Sequence, residues 1–235
     1  MCPPSSFNSS STSPITNAAT ISPPNIVPPS PICTSTYHLV RQSLPPAIFN
    51  HSLRVYLYTQ ALAQCANSPW VAPDRLPLLF VACLFHDMGC ATENDGPQRF
   101  EVCGADAAAG HLRKFEVNDT DVQEVWTAIS LHTSPGIAER ITPLARLVRL
   151  AVLMDFNELG KSSWITESEL EVDEENYRRS IEERFPRLSA EKVLGDIVVE
   201  QGMRQSTKAP AASWAGVMVR AAKEEPEWEG INKAF

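Results

Sequence analysis

From Tyr37 onward, apolar residues recur every three or four positions, the spacing of amphipathic helices, and alternating strand patterns are hard to find. Helix-capping residues and prolines punctuate this pattern, notably Asn50, Asn118 and Thr142 followed by Pro143. We therefore predict one all-α domain with mostly short connections. Its helices are expected at residues 50–66, 74–89, 104–115, 118–131, 142–160, 174–185, 189–202 and 211–222.

Four of these helices carry an ionisable residue on the apolar stripe that should face the core. His51 shares its stripe with Val55, Tyr58 and Leu62, and His86 shares one with Leu79 and Cys83 and is followed directly by Asp87. His132 continues the stripe of Val122, Val125 and Ile129, and Asp155 continues that of Leu144, Val148 and Ala151. Three histidines and two aspartates are thus predicted to point inward.

Buried carboxylates are costly without partners, and two of them close together repel each other. A single histidine on an apolar face is usually a satisfied core residue. Five inward ionisable groups on packed helices are harder to supply with hydrogen-bond and charge partners from the protein alone. One divalent metal would serve as the partner of all five. It neutralises the carboxylates and accepts neutral imidazoles as ligands. The pattern therefore predicts a metal site in the core.

The first forty residues have a different composition. They contain no charged residue, since the first is Arg41, and 22 of the 40 are Pro, Ser or Thr. Such a segment has too little apolar surface to offset its ordering entropy. We predict a disordered tail over residues 1–36 and a domain over residues 37–235, which ends in a helical extension.

Composition also limits the classes of partner that the protein is expected to bind. A net charge of −8 and a pI of about 5.2, without a basic stripe, argue against nucleic-acid binding. The sequence contains no run of 18 apolar residues, so no transmembrane helix is expected. Six cysteines without a CxxC pair, and no secretory pattern, favour reduced thiols in the cytoplasm. A small-molecule substrate is expected, and self-association stays open.

The order His51, then His86-Asp87, then Asp155 resembles the HD-domain superfamily of metal-dependent enzymes. The sequences that carry the resemblance are NHSLRV, LLFVACLFHDMG and LVRLAVLMD, within residues 48–160. It implies an α-helical bundle in which these four residues bind the metal. Arg54, one turn after His51, is expected to pair with a nearby carboxylate.

The chemistry within the superfamily is less constrained. Many phosphohydrolase members carry a lysine where this chain has Cys90, in HDMGC. Dinuclear members add histidines between the His-Asp pair and the distal aspartate, and here these are His111 and His132. His111 stands beside Arg113 and Lys114 and is expected to be exposed, which favours a mononuclear site.

The sequence is most similar to the fungal cyanamide hydratases, with Phe100, Glu101 and Gly104 in the segment RFEVCGADAA. The resemblance implies that metal-activated water adds to cyanamide, giving urea, or to a related nitrile. The metal would be zinc, or another divalent ion such as Fe, Mn or Ni. His132 and Glu101 are the candidate catalytic acid–base residues. A phosphohydrolase acting on a nucleotide or small phosphate ester, or a non-catalytic metal-binding scaffold, remains the alternative.

Overall fold

The computed structural model describes residues 24–157 and 174–235, which form α-helices joined by turns and short 3-10 helices, without a strand. The all-α prediction is confirmed. In the described part of the chain, no helix combines the length and apolar character needed to cross a membrane. The helices are α1 (Pro31–Ser43), α2 (Pro46–Cys65), α3 (Leu76–Phe85), α4 (Phe100–Lys114), α5 (Asp119–Leu131), α6 (Ala138–Ile141), α7 (Pro143–Asp155), α8 (Glu174–Arg184), α9 (Ala190–Arg204) and α10 (Trp214–Glu224).

The helices that carry the candidate ligands pack against one another. Helix α2 packs along α7 and α3, α5 packs against α4, α7 and α3, and α9 pairs with α10 and also contacts α2. A single apolar core runs through these helices and includes Leu53, Leu84, Ile129 and Val148. The inward faces of α2, α3, α5 and α7 are therefore brought to one place, as their stripes predict.

Capping explains several helix ends. The side chain of Asn118 accepts a hydrogen bond from the Asp121 amide, and that of Thr142 from the Ala145 amide, as predicted. The prediction that Asn50 caps α2 is wrong, because the helix begins at Pro46, where a missing N–H costs nothing. Asn50 instead donates from Nδ2 to the carbonyl of Pro186, 2.9 Å away.

Helix α1 corrects the predicted tail boundary. Ser30 caps the helix through the Cys33 amide, and Ile32, Cys33 and Thr36 are buried. The boundary predicted between residues 36 and 37 thus lies inside an ordered helix, and the tail prediction is wrong for residues 31–36. Residues 1–23 of that tail lie outside the described residues.

Candidate metal centre

The His86-Asp87 pair lies where α3 gives way to a tighter turn. His86 keeps helical backbone angles, but Asp87 has φ −106° and ψ 9° and leads into the 3-10 helix Met88–Cys90. This change of conformation re-aims the second side chain. Adjacent residues, which would diverge by about 100° on a continuous helix, therefore both face one cavity.

Two glycines let α4 lie directly on this turn. A Cβ on Gly89 would come within 1.9 Å of the Phe100 carbonyl oxygen. A Cβ on Gly104 would lie 2.9 Å from the Phe85 carbonyl oxygen and 3.3 Å from that of His86. The backbones of α4 and the His-Asp turn are in contact, and any side chain at these positions would push them apart.

His51, His86 and Asp87 form a compact cluster. The Nε2 atoms of His51 and His86 are 3.0 Å apart, and Oδ2 of Asp87 lies 3.5 Å from the first and 3.1 Å from the second. Donors about 2.0–2.1 Å from one ion are roughly 2.8–3.0 Å apart in octahedral geometry and roughly 3.3–3.4 Å apart in tetrahedral geometry. The spacing of these three atoms matches ligands of a single metal ion.

The hydrogen bonds of the imidazoles set which nitrogens can bind a metal. In three histidines, Nδ1 faces a hydrogen-bond acceptor at 2.6–2.7 Å: His51 faces Oδ2 of Asp155, His86 the carbonyl of Cys83, and His132 the carbonyl of Ile129. Each Nδ1 therefore carries the hydrogen and donates it. In the neutral ring, each Nε2 then directs a lone pair toward Asp87.

Asp87 is the strongest sign that a cation belongs here. The residue is buried, yet neither carboxylate oxygen has a hydrogen-bond partner among the described residues. Burial favours the neutral acid, but the surrounding imidazoles, led by His86, hold the pKa of Asp87 well below its usual range. Burial likewise opposes charge on His86, yet Asp87 outweighs it and raises the pKa of His86. A buried carboxylate without a hydrogen-bond donor suits a bound cation, and His51, His86 and Asp87 fit a divalent metal.

His132 also faces the cluster, and its ring centroid lies 5.0 Å from that of His86. Its Nε2 is 3.6 Å from Oδ1, the oxygen that points away from His51 and His86. The residue is 2% exposed and lines the same cavity. The inward orientation predicted for His132 is confirmed. Its catalytic role stays a prediction.

Asp155 lies behind His51 rather than within the cluster. Its Oδ2 accepts from Nδ1 of His51 at 2.6 Å, and Arg54 donates to both oxygens at 2.7 and 2.8 Å. Burial opposes the charge, but Arg54 and His51 hold the pKa of Asp155 below its usual value. The expected pairing of Arg54 with a carboxylate is confirmed. In this geometry Asp155 orients His51, and its role as a fourth ligand stays a prediction.

Glu101 is fully buried in the first turn of α4. Its Oε1 accepts from Nη2 of Arg99 at 2.6 Å and from the hydroxyl of Thr133. Arg99 and Thr133 line the cavity, whereas Glu101 is not among its lining residues. The geometry favours a carboxylate that positions Arg99 and Thr133, and a direct part of Glu101 in proton transfer stays a prediction.

The expectation that His111 is exposed is wrong. It is 4% exposed, its Nε2 lies 3.0 Å from the Thr36 hydroxyl, and its ring packs against Phe85 at 5.1 Å. Because Thr36 lies in the segment predicted as a tail, the helix that supplies this contact with α4 was not predicted. His111 is bonded to α1 and is not part of the metal cluster.

A cavity of about 570 Å³ opens onto the cluster. His51, His86, Asp87 and His132 lie in its wall. The rest is mostly apolar and includes Phe100, Val152, Phe156, Leu194, Trp214, Val217 and Phe235. The prediction that the fifth helix extends to Gly160 is wrong, because α7 ends at Asp155 and Phe156 caps it. The other predictions at residues 158–173 lie outside the described residues. The sequence could place the ligands on inward faces, but it held no signal for the aromatic residues that distant segments bring to this cavity.

Comparison with known families agrees with this site. Residues 48–151 match the family model of the HD domain, a span that runs from α2 into α7 and includes His51, His86, Asp87 and His132. The match supports a relationship of this region to the HD domain, and the same region contains the cluster of His51, His86 and Asp87, which could hold a metal ion. No curated protein matches the chain.

Proposed function

We propose that this protein is a metal-dependent hydratase that adds water across the carbon–nitrogen triple bond of cyanamide, giving urea, or of a related nitrile, giving an amide. The observation that carries the proposal is a metal-type cluster that faces a cavity in which, among the described residues, the arginines are already paired with carboxylates. The sequence resemblance to cyanamide hydratases supplies the reaction, and the cavity's charge favours an uncharged substrate.

Both arginines that line the cavity already have carboxylate partners. Nη2 of Arg99 lies 2.6 Å from Glu101, and Nε of Arg149 lies 3.3 Å from Glu139. Arg149 also donates from Nη1 to the carbonyl of His132 at 3.1 Å. A phosphate dianion requires cations that are available to it. With these guanidinium groups committed, a neutral substrate suits the cavity better.

Cys90 supports the same conclusion. It stands where many phosphohydrolases of the superfamily carry a lysine, and its side chain is buried. Burial raises the pKa of its thiol well above the usual value, so it brings neither a positive charge nor a reactive thiolate to the site.

The residues divide the work as follows. His51, His86 and Asp87 would hold the metal, and when bound it supplies the Lewis acidity that activates water for attack on a nitrile carbon. His132, fixed by its bond to the Ile129 carbonyl, presents Nε2 to the cavity and is the proposed group that moves a proton to the nitrile nitrogen. Asp155 and Arg54 hold the orientation of His51.

A phosphohydrolase is the second candidate. The observation in its favour is that two guanidinium groups, of Arg99 and Arg149, do line the cavity. A phosphate that displaced Glu101 or Glu139 from them would gain bidentate partners. A scaffold that binds metal without catalysis is the remaining alternative.

One substrate panel separates these candidates. The purified protein, supplemented with zinc, is assayed against cyanamide, simple nitriles, isocyanides and 5′-nucleotides, with Asp87→Ala as the inactive control. We expect urea from cyanamide or an amide from a nitrile. Phosphate release from a nucleotide without urea would establish the second candidate instead. If metal-loaded protein turns over none of these compounds, the non-catalytic metal-binding scaffold is the candidate that remains.

A further inference from the structure

Seven rings form a closed circuit around the cavity that opens onto the metal cluster. Each ring contacts the next, with centroids 4.5–5.8 Å apart. In order, the circuit is His51, Phe156, Phe235, Trp214, Phe100, His132 and His86, which returns to His51. All seven residues line the cavity. The three histidines thus line the same cavity as the apolar rings of Phe100, Phe156, Trp214 and Phe235.

The apolar part of this circuit is anchored to the cluster. Phe156 follows Asp155 directly and stacks on His51, with centroids 4.5 Å apart and planes 22° from parallel. Phe235 meets Phe156 edge-on at 4.9 Å and Trp214 at 5.7 Å. An aromatic wall therefore continues from the ring of a candidate ligand.

The volume of the cavity exceeds the needs of cyanamide itself. Cyanamide has one carbon and two nitrogens and occupies roughly twice the ~30 Å³ share of one water molecule. Cavities of about 300–1,000 Å³ ordinarily enclose much larger organic ligands. With cyanamide at the cluster, most of the 570 Å³ would hold water against aromatic side chains.

Two of the hydroxyl groups in this wall are already hydrogen-bonded within the protein. The hydroxyl of Ser213 donates to the carbonyl of Pro210 and accepts from the amide of Gly216. The hydroxyl of Thr133 donates to Glu101. Ile137 and Val217 also line the cavity and are 53% and 39% exposed, so apolar groups reach from its wall to solvent. Stacking and edge contacts are what these rings can supply.

We infer that the ring circuit is a binding subsite for a planar apolar group attached to the reacting nitrile. The substrate class is then an aryl cyanamide or aryl nitrile rather than cyanamide alone. This inference rests on the proposed hydratase function for the reaction. The expected binding of the aryl group depends only on the rings that line the cavity, so it can be measured without turnover.

The experiment compares two substrates that share the reacting group, cyanamide and phenylcyanamide, on the full chain with bound metal. Burial of a phenyl ring is expected to raise kcat/KM for phenylcyanamide about 10–100-fold over cyanamide. Phe235→Ala, which opens the circuit between Phe156 and Trp214, should lower that ratio about tenfold. Phe235→Leu, which keeps apolar volume without a ring, should give an intermediate ratio. Phe115→Ala, which removes an exposed phenylalanine that does not line the cavity, is the matched control and should leave the ratio unchanged.

Binding is measured in parallel with phenylurea and urea, the hydration products, by Trp fluorescence and by ligand-observed NMR. Saturable binding of phenylurea that is tighter than that of urea, and weaker in Phe235→Ala, supports the subsite even if no nitrile is turned over; in that case the proposed function alone fails. Turnover of cyanamide with no saturable binding of phenylurea keeps the function and overturns the inference. An equal kcat/KM for both substrates, or a ratio unaffected by Phe235→Ala in a folded variant, also overturns it.

Discussion

Two parts of the chain face the same cavity with different chemistry. The part that matches the HD domain, residues 48–151, supplies the cluster of His51, His86 and Asp87 and also His132, which faces it. The part from residue 174 onward contributes mainly apolar side chains: Leu194, Ala212, Trp214, Val217 and Phe235, with Ser213. The candidate metal ligands and most of the aromatic and aliphatic wall considered for the proposed substrate thus come from different segments of the chain.

The second part is nevertheless fastened to the turn that carries the cluster. Gln201 donates from Nε2 to the carbonyl of Gly89 at 3.0 Å, and the buried Lys208 bonds to the carbonyl of Gly96 at 2.8 Å. Arg54 donates to the carbonyl of Phe185 at 3.0 Å, which links the positioning of His51 to the segment after α8. The first two bonds depend on the side chains of Gln201 and Lys208, whereas the third needs only the backbone carbonyl of Phe185.

The largest expected effect is in the cluster. Asp87→Ala removes its anionic ligand, so it should abolish turnover and lower the metal content, and it should lower the melting temperature because bound metal stabilises the folded state. Phe235→Ala, in the second part, should keep the wild-type metal content. Turnover and bound metal are measured on the same samples. Metal loss in Phe235→Ala, or full activity in Asp87→Ala, would contradict the claim that the first part alone supplies the metal ligands.

His132→Gln should have the next largest effect. If His132 moves a proton, the variant should keep its metal and slow turnover by roughly 10²–10⁴-fold, the usual contribution of general acid–base catalysis. If His132 is a ligand, metal is lost first. Metal content and turnover of the variant are therefore determined together. Activity restored by excess zinc would rule out the acid–base role.

Two glycines of α4 give a matched test of the helix contact with the His-Asp turn. A Cβ at Gly104 meets backbone atoms at 2.9–3.3 Å, whereas a Cβ at Gly110 meets nothing within 4 Å. Gly104→Ala should lower the free energy of unfolding by about 1–3 kcal/mol, as overpacking does. Gly110→Ala should raise it by up to about 1 kcal/mol, because alanine favours the helix. Denaturant unfolding measures both, and equal effects would show that α4 does not rest closely on the turn.

The smallest expected effect concerns His111, remote from the cluster. Burial lowers its pKa below the ordinary value of 6.5. The unfolded chain therefore binds its proton more readily, so this contribution to stability is complete above pH 6.5 and declines as the pH falls below it. His111→Leu should weaken the loss of stability between pH 7.5 and 5.5, measured by urea unfolding. The same pH dependence in both proteins would mean that His111 is not buried in neutral form.

The sequence predicted the cluster better than it predicted the surroundings. Apolar stripes are local, so they revealed that His51, His86 and His132 point inward. They could not show which nitrogen of His51 meets Asp155, because that depends on how α2 and α7 are rotated against each other. The sequence therefore predicted Asp155 as a ligand without showing that its carboxylate also bonds to Nδ1 of His51 and to Arg54, and its role as a ligand stays a prediction.

Segments that acquire structure through distant contacts were the hardest to predict. Residues 31–36 have the composition of a tail, but as the first turns of α1 they bury Ile32, Cys33 and Thr36. Deletion of residues 1–36 would therefore remove part of the fold. The aromatic wall had no sequence signal either, since Phe156 and Phe235 are 79 positions apart along the chain. Helix caps such as Thr142 were predicted because their partners lie within one turn.

The most direct test of the account is the metal content of the purified wild-type chain after equilibration with zinc and removal of excess ion. One cluster of His51, His86 and Asp87 predicts about one divalent ion per chain, and a large loss of that ion in His51→Ala. Elemental analysis with a parallel protein determination gives the ratio. A chain that retains no ion, or a His51→Ala variant that binds as much as the wild type, would contradict the proposed metal centre. Two irons per chain would contradict its mononuclear form.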